Sequence, residues 1–176
     1  MSKFEPKYFS KTVEGFAKEV LPPDVIIKHG AVRALRMMDQ RILEFLDEFR
    51  YDCGVPLTVN TPWNEVFTQS GMRDEKHYGG SFEKHFWSLS DHTFGRAIDV
   101  KCEHGGHWLR KKFIEREQHY YEKYDINFIE CAPLGSQGKG MTWAHFSIRI
   151  DLKGNPEYWS PVKGFLTKEE VLVREL

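Results

Sequence analysis

Cysteine is scarce in this chain: three residues in 176, at Cys53, Cys102 and Cys131, an odd number at wide spacing. That excludes a disulfide framework and favours a reducing compartment. Long hydrophobic runs are missing too, with no stretch of 18 apolar residues and no apolar core behind the lysine of Met1-Ser2-Lys3-Phe4-Glu5-Pro6-Lys7. Neither a membrane span nor a secretory leader is therefore expected, and synthesis as a soluble cytoplasmic protein is. Nor is there an excess of charge of one sign. The chain has 25 Lys and Arg against 26 Asp and Glu, a formal net charge of -1, so bulk electrostatics gives no reason to expect a nucleic-acid partner. Pro- or Ser-rich linkers, repeats and low-complexity tracts are also absent. With 40% hydrophobic and 14% aromatic residues, residues 1–176 are expected to bury one core as one domain.

What is present is concentrated in the middle of the chain, at Ser90-Asp91-His92-Thr93-Phe94-Gly95-Arg96-Ala97-Ile98-Asp99 and at Trp143-Ala144-His145. A catalytic zinc ion usually takes three ligands from His, Asp, Glu or Cys and leaves a fourth position for water. His92, Asp99 and His145 supply such a set. Gly95 permits a turn, after which Ala97 to Val100 reads as a strand with Asp99 on one face and Ile98 and Val100 on the other. The run Thr142 to Ile150 alternates likewise, Phe146, Ile148 and Ile150 against Trp143, His145, Ser147 and Arg149. Two adjacent strands then bring the three ligands together. A rival metal site is Cys102-Glu103-His104-Gly105-Gly106-His107, which lacks the separated second pair that a closed structural zinc site needs.

The pattern Ser-x-His-x-x-Gly-x-Ala-x-Asp followed by Trp-x-His resembles the signature of the M15 zinc peptidases. That group includes D-Ala-D-Ala carboxypeptidases and dipeptidases and the L-alanyl-D-glutamate endopeptidases of bacteriophage lysins. Ser90, His92, Gly95, Ala97 and Asp99 occupy its fixed positions, and Thr68-Gln69-Ser70-Gly71-Met72-Arg73 resembles the Ser-Gly-x-Arg that precedes the first ligand. The matching stretch runs from about residue 57 to 150. The resemblance implies zinc on His92, Asp99 and His145, Arg73 beside the scissile carbonyl, and Ser90 in contact with substrate. It also implies a peptidoglycan stem peptide as substrate, reached through lysis or from a virion, and a small DD-peptidase/hedgehog-like fold.

One position departs from the pattern. Many members of the group carry an acidic general base three residues before the last ligand, and here that residue is Thr142, whose hydroxyl has no useful basicity near neutral pH. Glu130 is the nearest substitute if the Ile126 to Cys131 run, which reads as the preceding strand, pairs with the His145 strand through the Gly-rich segment Pro133 to Gly140. The alternative is a zinc-binding or virion-structural relative that has lost the base.

Elsewhere the apolar residues from Gly30 to Phe49 recur at three- and four-residue steps, predicting one long amphipathic helix. Further helices are expected at Thr12 to Val20, Trp108 to Tyr124 and after Thr167, where Glu170 completes a capping box. Pro56 to Asn60 reads as a short strand, and Arg110-Lys111-Lys112 as a solvated helix face balanced by Glu115 and Glu117. Tyr158 and Trp159 read as packing residues. His77 and His85, around Tyr78 to Phe82, read as part of a surface loop, with a lid over the cleft as the alternative. The fold class expected is α+β, a small antiparallel sheet with flanking helices.

Overall fold

A computed structural model describes residues 4–59, 70–131, 142–150 and 154–173. The long periodic stretch after Gly30 does not form one helix. It divides into α3 (Ala31–Ala34), a 3-10 turn at Leu35–Met37, and α4 (Gln40–Cys53). The interruption comes from elsewhere in the chain. Met38 is extended, and the Asp39 N–H donates to the Gly95 carbonyl at 2.9 Å instead of continuing the helix. Gly95 has φ +65°, and a Cβ there would lie 2.5 Å from the Met37 carbonyl oxygen. Only glycine meets both conditions, a left-handed backbone and a close backbone contact. Asp39 then caps α4 by accepting from the Arg41 N–H at 3.0 Å, and Gly54 closes it in the left-handed region.

The preceding helices are α1 (Val13–Val20), capped by Thr12, and α2 (Pro23–His29), which begins at a proline that needs no intrahelical N–H. The face of α4 bearing Ile42, Phe45, Leu46 and Phe49 is fully buried. Phe45 packs edge-on against Tyr120 and Phe146, with ring centroids 5.2 and 5.3 Å away. Each such buried aromatic contributes on the order of 2–3 kcal/mol by leaving water.

The partner layer is a five-stranded sheet in the order β1-β3-β2-β4-β5, with β1 (Ala97–Lys101), β2 (Phe128–Glu130), β3 (Trp143–Ser147), β4 (Glu157–Ser160) and β5 (Gly164–Leu166). The α+β class holds, but the sheet is mixed. β2 and β4 run parallel because β4 returns from β3 past its neighbour to pair on the far edge of β2. Period-two alternation sends Ile98, Val100, Ile129, Ala144 and Phe146 into the core and leaves the opposite face for other work. The strand expected from Pro56 reduces to an isolated bridge between Thr58 and Lys101, and its continuation lies outside the described residues.

Between β1 and β2 the expected single helix is two, α6 (Gly105–Glu115) and α7 (Glu117–Tyr124), broken at Arg116. Before β1 stands a short α5 (Phe82–Phe86), and after β5 comes α8 (Lys168–Val173), whose capping box forms as expected between Thr167 and Glu170. Arg110 corrects the solvated-face reading of α6. It is wholly buried, donates to the Trp143 carbonyl at 3.1 Å, and its guanidinium is pulled below its usual range by burial. No helix among the described residues is long and apolar enough to cross a membrane.

α7 is tied to α4 by a charged cluster in which Glu48 accepts from Lys123 at 2.6 Å and from His119 and Tyr124. Partial burial pushes the Glu48 carboxyl up, but these bonds outweigh it and bring it from 4.5 to about 2. A carboxylate with a lowered folded pKa stabilises fully above its unfolded value and loses that contribution as pH falls through the folded one. Chemical denaturation should therefore show Glu48→Gln less stable than the native chain at pH 7. The difference should shrink between pH 4.5 and 2, and a gap independent of pH would contradict the assignment.

Candidate metal centre

The sheet face turned away from the core carries a cross-strand row. Asp99 on β1 stands opposite His145 on β3, His145 opposite Glu130 on β2, and Glu130 beside Trp159 on β4. Directly opposed residues of an antiparallel pair hold their Cβ atoms about 5 Å apart. Three potential ligands or bases are therefore adjacent through strand register alone. His92 joins them from the turn before β1, which is folded by the Gly95 N–H and Thr93 N–H bonds to the His92 and Ser90 carbonyls.

The donor atoms converge. His145 Nδ1 lies 2.9 Å from Asp99 Oδ1, His92 Nε2 lies 3.3 Å from His145 Nδ1, and His92 Nε2 lies 3.5 Å from Asp99 Oδ1. For ligands about 2.0–2.1 Å from a tetrahedral metal, the distance between two ligand atoms is about 3.3 Å. The observed triangle is close to one face of such a tetrahedron. Among the described residues this is the only group of three or more His, Cys, Asp or Glu side chains that converges in this way, so the cluster can hold a metal ion. The rival Cys102 segment does not converge. Its thiol contacts the Gly105 carbonyl and the His104 ring packs on Trp108.

Surrounding groups orient each ligand. His92 is 2% exposed and its Nδ1 donates to the Gly71 carbonyl at 2.7 Å, which leaves the Nε2 lone pair facing Asp99 and His145. Burial, opposed by Asp99, lowers the His92 pKa, so the ring is neutral and able to ligate at neutral pH. Burial alone would raise the Asp99 pKa. The hydrogen bond from the His145 ring at 2.9 Å outweighs it and holds the carboxyl far below its ordinary range. Arg73 Nη2 sits 3.6 Å from Asp99 Oδ2, the oxygen turned away from the two imidazoles.

The Ser70-Gly71-Met72-Arg73 stretch is held by its backbone. The Ser70 carbonyl accepts from the Asp99 N–H at 2.7 Å, Met72 N–H donates to Val20 at 2.8 Å, and Arg73 N–H donates to the His92 carbonyl at 3.2 Å. Gly71 passes so close to α1 that an added Cβ would lie 2.2 Å from the Val20 carbonyl oxygen. Gly71→Ala should therefore push the Gly71 carbonyl off His92 and lower metal affinity roughly 10- to 100-fold, the usual cost of losing a group that orients a ligand. Competition with a chromophoric chelator measures it; unchanged affinity would show that the Gly71 bond does not position His92.

The ligands open onto a cleft of about 330 Å³ that Arg73, Ser90 and Glu130 also line. The structure thus places all six sequence-derived site residues around one space. Thr142 is exposed, precedes β3 and does not line the cleft. The Gly-rich Pro133 to Gly140 segment lies outside the described residues, as do Thr68 and Gln69.

Several cleft residues escaped sequence reasoning. Trp159 lines the cleft while Tyr158 is buried, with its hydroxyl donating to Glu117, so the two read together as packing residues have separate roles. Asp91, Phe128 and Arg149 also face the cleft. For Trp159 the missing signal was the parallel β2–β4 register, which no local pattern reveals. The His77 to His85 segment is tied down by side-chain bonds: the Tyr78 hydroxyl meets Thr93 Oγ1 at 2.9 Å, and His85 Nε2 donates to the Arg73 carbonyl at 3.2 Å.

No protein-family model, curated protein or solved structure matches this chain.

Proposed function

We propose that this chain is a zinc-dependent peptidase that cleaves a peptidoglycan stem peptide. The observation that carries the reading is the triangle of His92, Asp99 and His145 donor atoms facing a cleft that also holds Glu130 and Arg73. Two imidazoles and one carboxylate are an N/O set that suits zinc, and three protein ligands leave a position open for chemistry. The motif residues Ser70, Gly71, Arg73, Ser90, His92, Gly95, Ala97, Asp99 and His145 supply the likeness to M15 peptidases from which the substrate class is taken.

His92, Asp99 and His145 would hold the zinc ion, which would supply Lewis-acid polarisation and a water acidic enough to attack at neutral pH. Glu130, one strand from His145, takes the proton from the attacking water and returns it to the nitrogen that leaves as the peptide C–N bond breaks. Arg73, at the Asp99 edge of the cleft, faces the charge that develops on the carbonyl oxygen. Ser90 offers a hydroxyl to the substrate backbone, and Trp143 and Trp159 wall the cleft.

Incubation of the zinc-loaded protein with defined stem peptides, followed by mass analysis of the products, tests the proposal. Paired fragments with one new amine and one new carboxyl terminus are expected, and their masses identify the bond. Intact peptides after prolonged incubation with stoichiometric zinc in the protein would overturn the peptidase reading and leave a metal-binding protein.

A further inference from the structure

Short helix α5 meets the rest of the protein with its polar side. Across residues 82–89 only His85 and Ser88 are half-buried, while Phe82, Phe86, Trp87 and Leu89 are 62, 53, 72 and 74% exposed. His85 Nε2 donates to the Arg73 carbonyl at 3.2 Å, and the Ser88 hydroxyl donates to the His85 carbonyl at 2.9 Å and meets Thr93 Oγ1 at 3.0 Å. A surface helix ordinarily buries its apolar stripe and wets its polar one. In α5 that order is reversed.

The exposed side chains make one face. Phe82 and Phe86 stack with ring centroids 5.8 Å apart, Trp87 stands edge-on to Phe86 at 5.0 Å, and Leu89 carries the apolar surface to the rim of the metal cleft. At these exposures the four side chains present on the order of 500 Å² to water, as much as the largest apolar patch on a typical monomer. Covering the face leaves the polar groups of the helix satisfied, because His85 and Ser88 already have partners and the Ser81 hydroxyl accepts from the Lys84 N–H at 3.2 Å. Its rim carries both signs of charge. Glu83 and Lys84 are adjacent and exposed.

We propose that this face is the contact of a two-fold homodimer, an inference independent of the peptidase reading. Area, composition and charge all select a second copy as the occupant. Two such faces together cover about 1,000 Å² of apolar surface, the size at which specific interfaces begin, and the rim adds to it. Aromatic side chains at the centre with charges at the edge are the usual plan of such a contact. A two-fold axis requires a surface complementary to itself. Adjacent opposite charges beside an apolar patch meet that requirement, since Glu83 of each chain then faces Lys84 of the other. A nucleic acid or an anionic bilayer would call for surplus positive charge, and residues 75–89 hold two glutamates and two lysines. The dimer sets both metal clefts at the edge of the contact, where Leu89 lies.

Sedimentation equilibrium of the full chain over a concentration series makes the test. The average mass should rise with concentration from 20.7 kDa toward twice that value. Trp87→Ser should weaken association about 100-fold, because a two-fold contact loses each ring twice, and Trp87→Phe should restore most of it. Thermal melts of these exposed-site variants confirm folding. Charge supplies a second measurement that no loss of folding can imitate. Glu83→Lys and Lys84→Glu should each self-associate more weakly than the native chain, and a mixture of the two proteins should associate more tightly than either alone. A monomer at every concentration, a dimer that Trp87→Ser leaves intact, or a mixture no tighter than its components would each overturn the interface. So would a monomeric native chain that floats with phosphatidylcholine vesicles and loses that binding in Trp87→Ser, which would assign the face to a lipid surface.

Discussion

His92→Ala is expected to bind zinc about 100- to 1,000-fold more weakly than the native chain. Zinc sites with four protein ligands bind with about 10–16 kcal/mol at neutral pH, which divides into roughly 2.5–4 kcal/mol per ligand. Removing one imidazole of three forfeits at least that share. The loss should be larger than that for Gly71→Ala, which misdirects His92 but leaves it present. The His92 ring is buried between the Gly71 carbonyl and His145, so the variant also gains a small cavity, and its thermal melt should be recorded alongside. Metal content after dialysis against a weak chelator, together with affinity by competition, measures the effect. Equal zinc in the native and variant proteins would remove His92 from the ligand set, and with it the geometric argument for the centre.

Glu130→Gln should retain zinc and lose about 10²- to 10⁴-fold in kcat, the range that general acid–base catalysis contributes. Glutamine keeps the size and the hydrogen-bonding reach of glutamate but cannot accept a proton. Because Glu130 is not one of the three converging ligands, metal affinity separates its role from theirs. Thr142→Glu is the informative partner. Thr142 lies outside the cleft, so a carboxylate there should not rescue Glu130→Gln. Rescue would mean that the residue before β3 reaches the reacting water after all. Native activity in Glu130→Gln would overturn the assignment of Glu130 as the base.

Much of this site was legible because its residues are close in sequence or lie on strands with plain alternation. Asp99 between Ile98 and Val100, and His145 between Ala144 and Phe146, announce a face turned from the core, and the structure puts them in register. The turn at Gly95 is plain from the local sequence. The second demand on it, the contact with Met37, belongs to a segment far away in sequence, and that same contact divides the expected long helix. Periodicity records only which residues are apolar. It carries no information on where another loop will dock and capture an N–H. The misreading of Arg110 has a similar origin: a cation among cations looks solvated until a carbonyl is found beside it in the core.

The sequence by itself determined the chemistry available: two histidines and an aspartate at positions able to ligate, a glutamate as the nearest candidate base, an α+β pattern of elements, and a short-range cap at Thr167. Tertiary structure decided which of these meet. Strand order and register set Asp99, His145, Glu130 and Trp159 in one row, and the approach of Gly71 to Val20 aims His92. The reason is physical. Ligand spacing of about 3 Å depends on hydrogen bonds between strands and on backbone contacts between segments distant in sequence. Those energies arise only when the distant segments pack, so no local window of residues contains them.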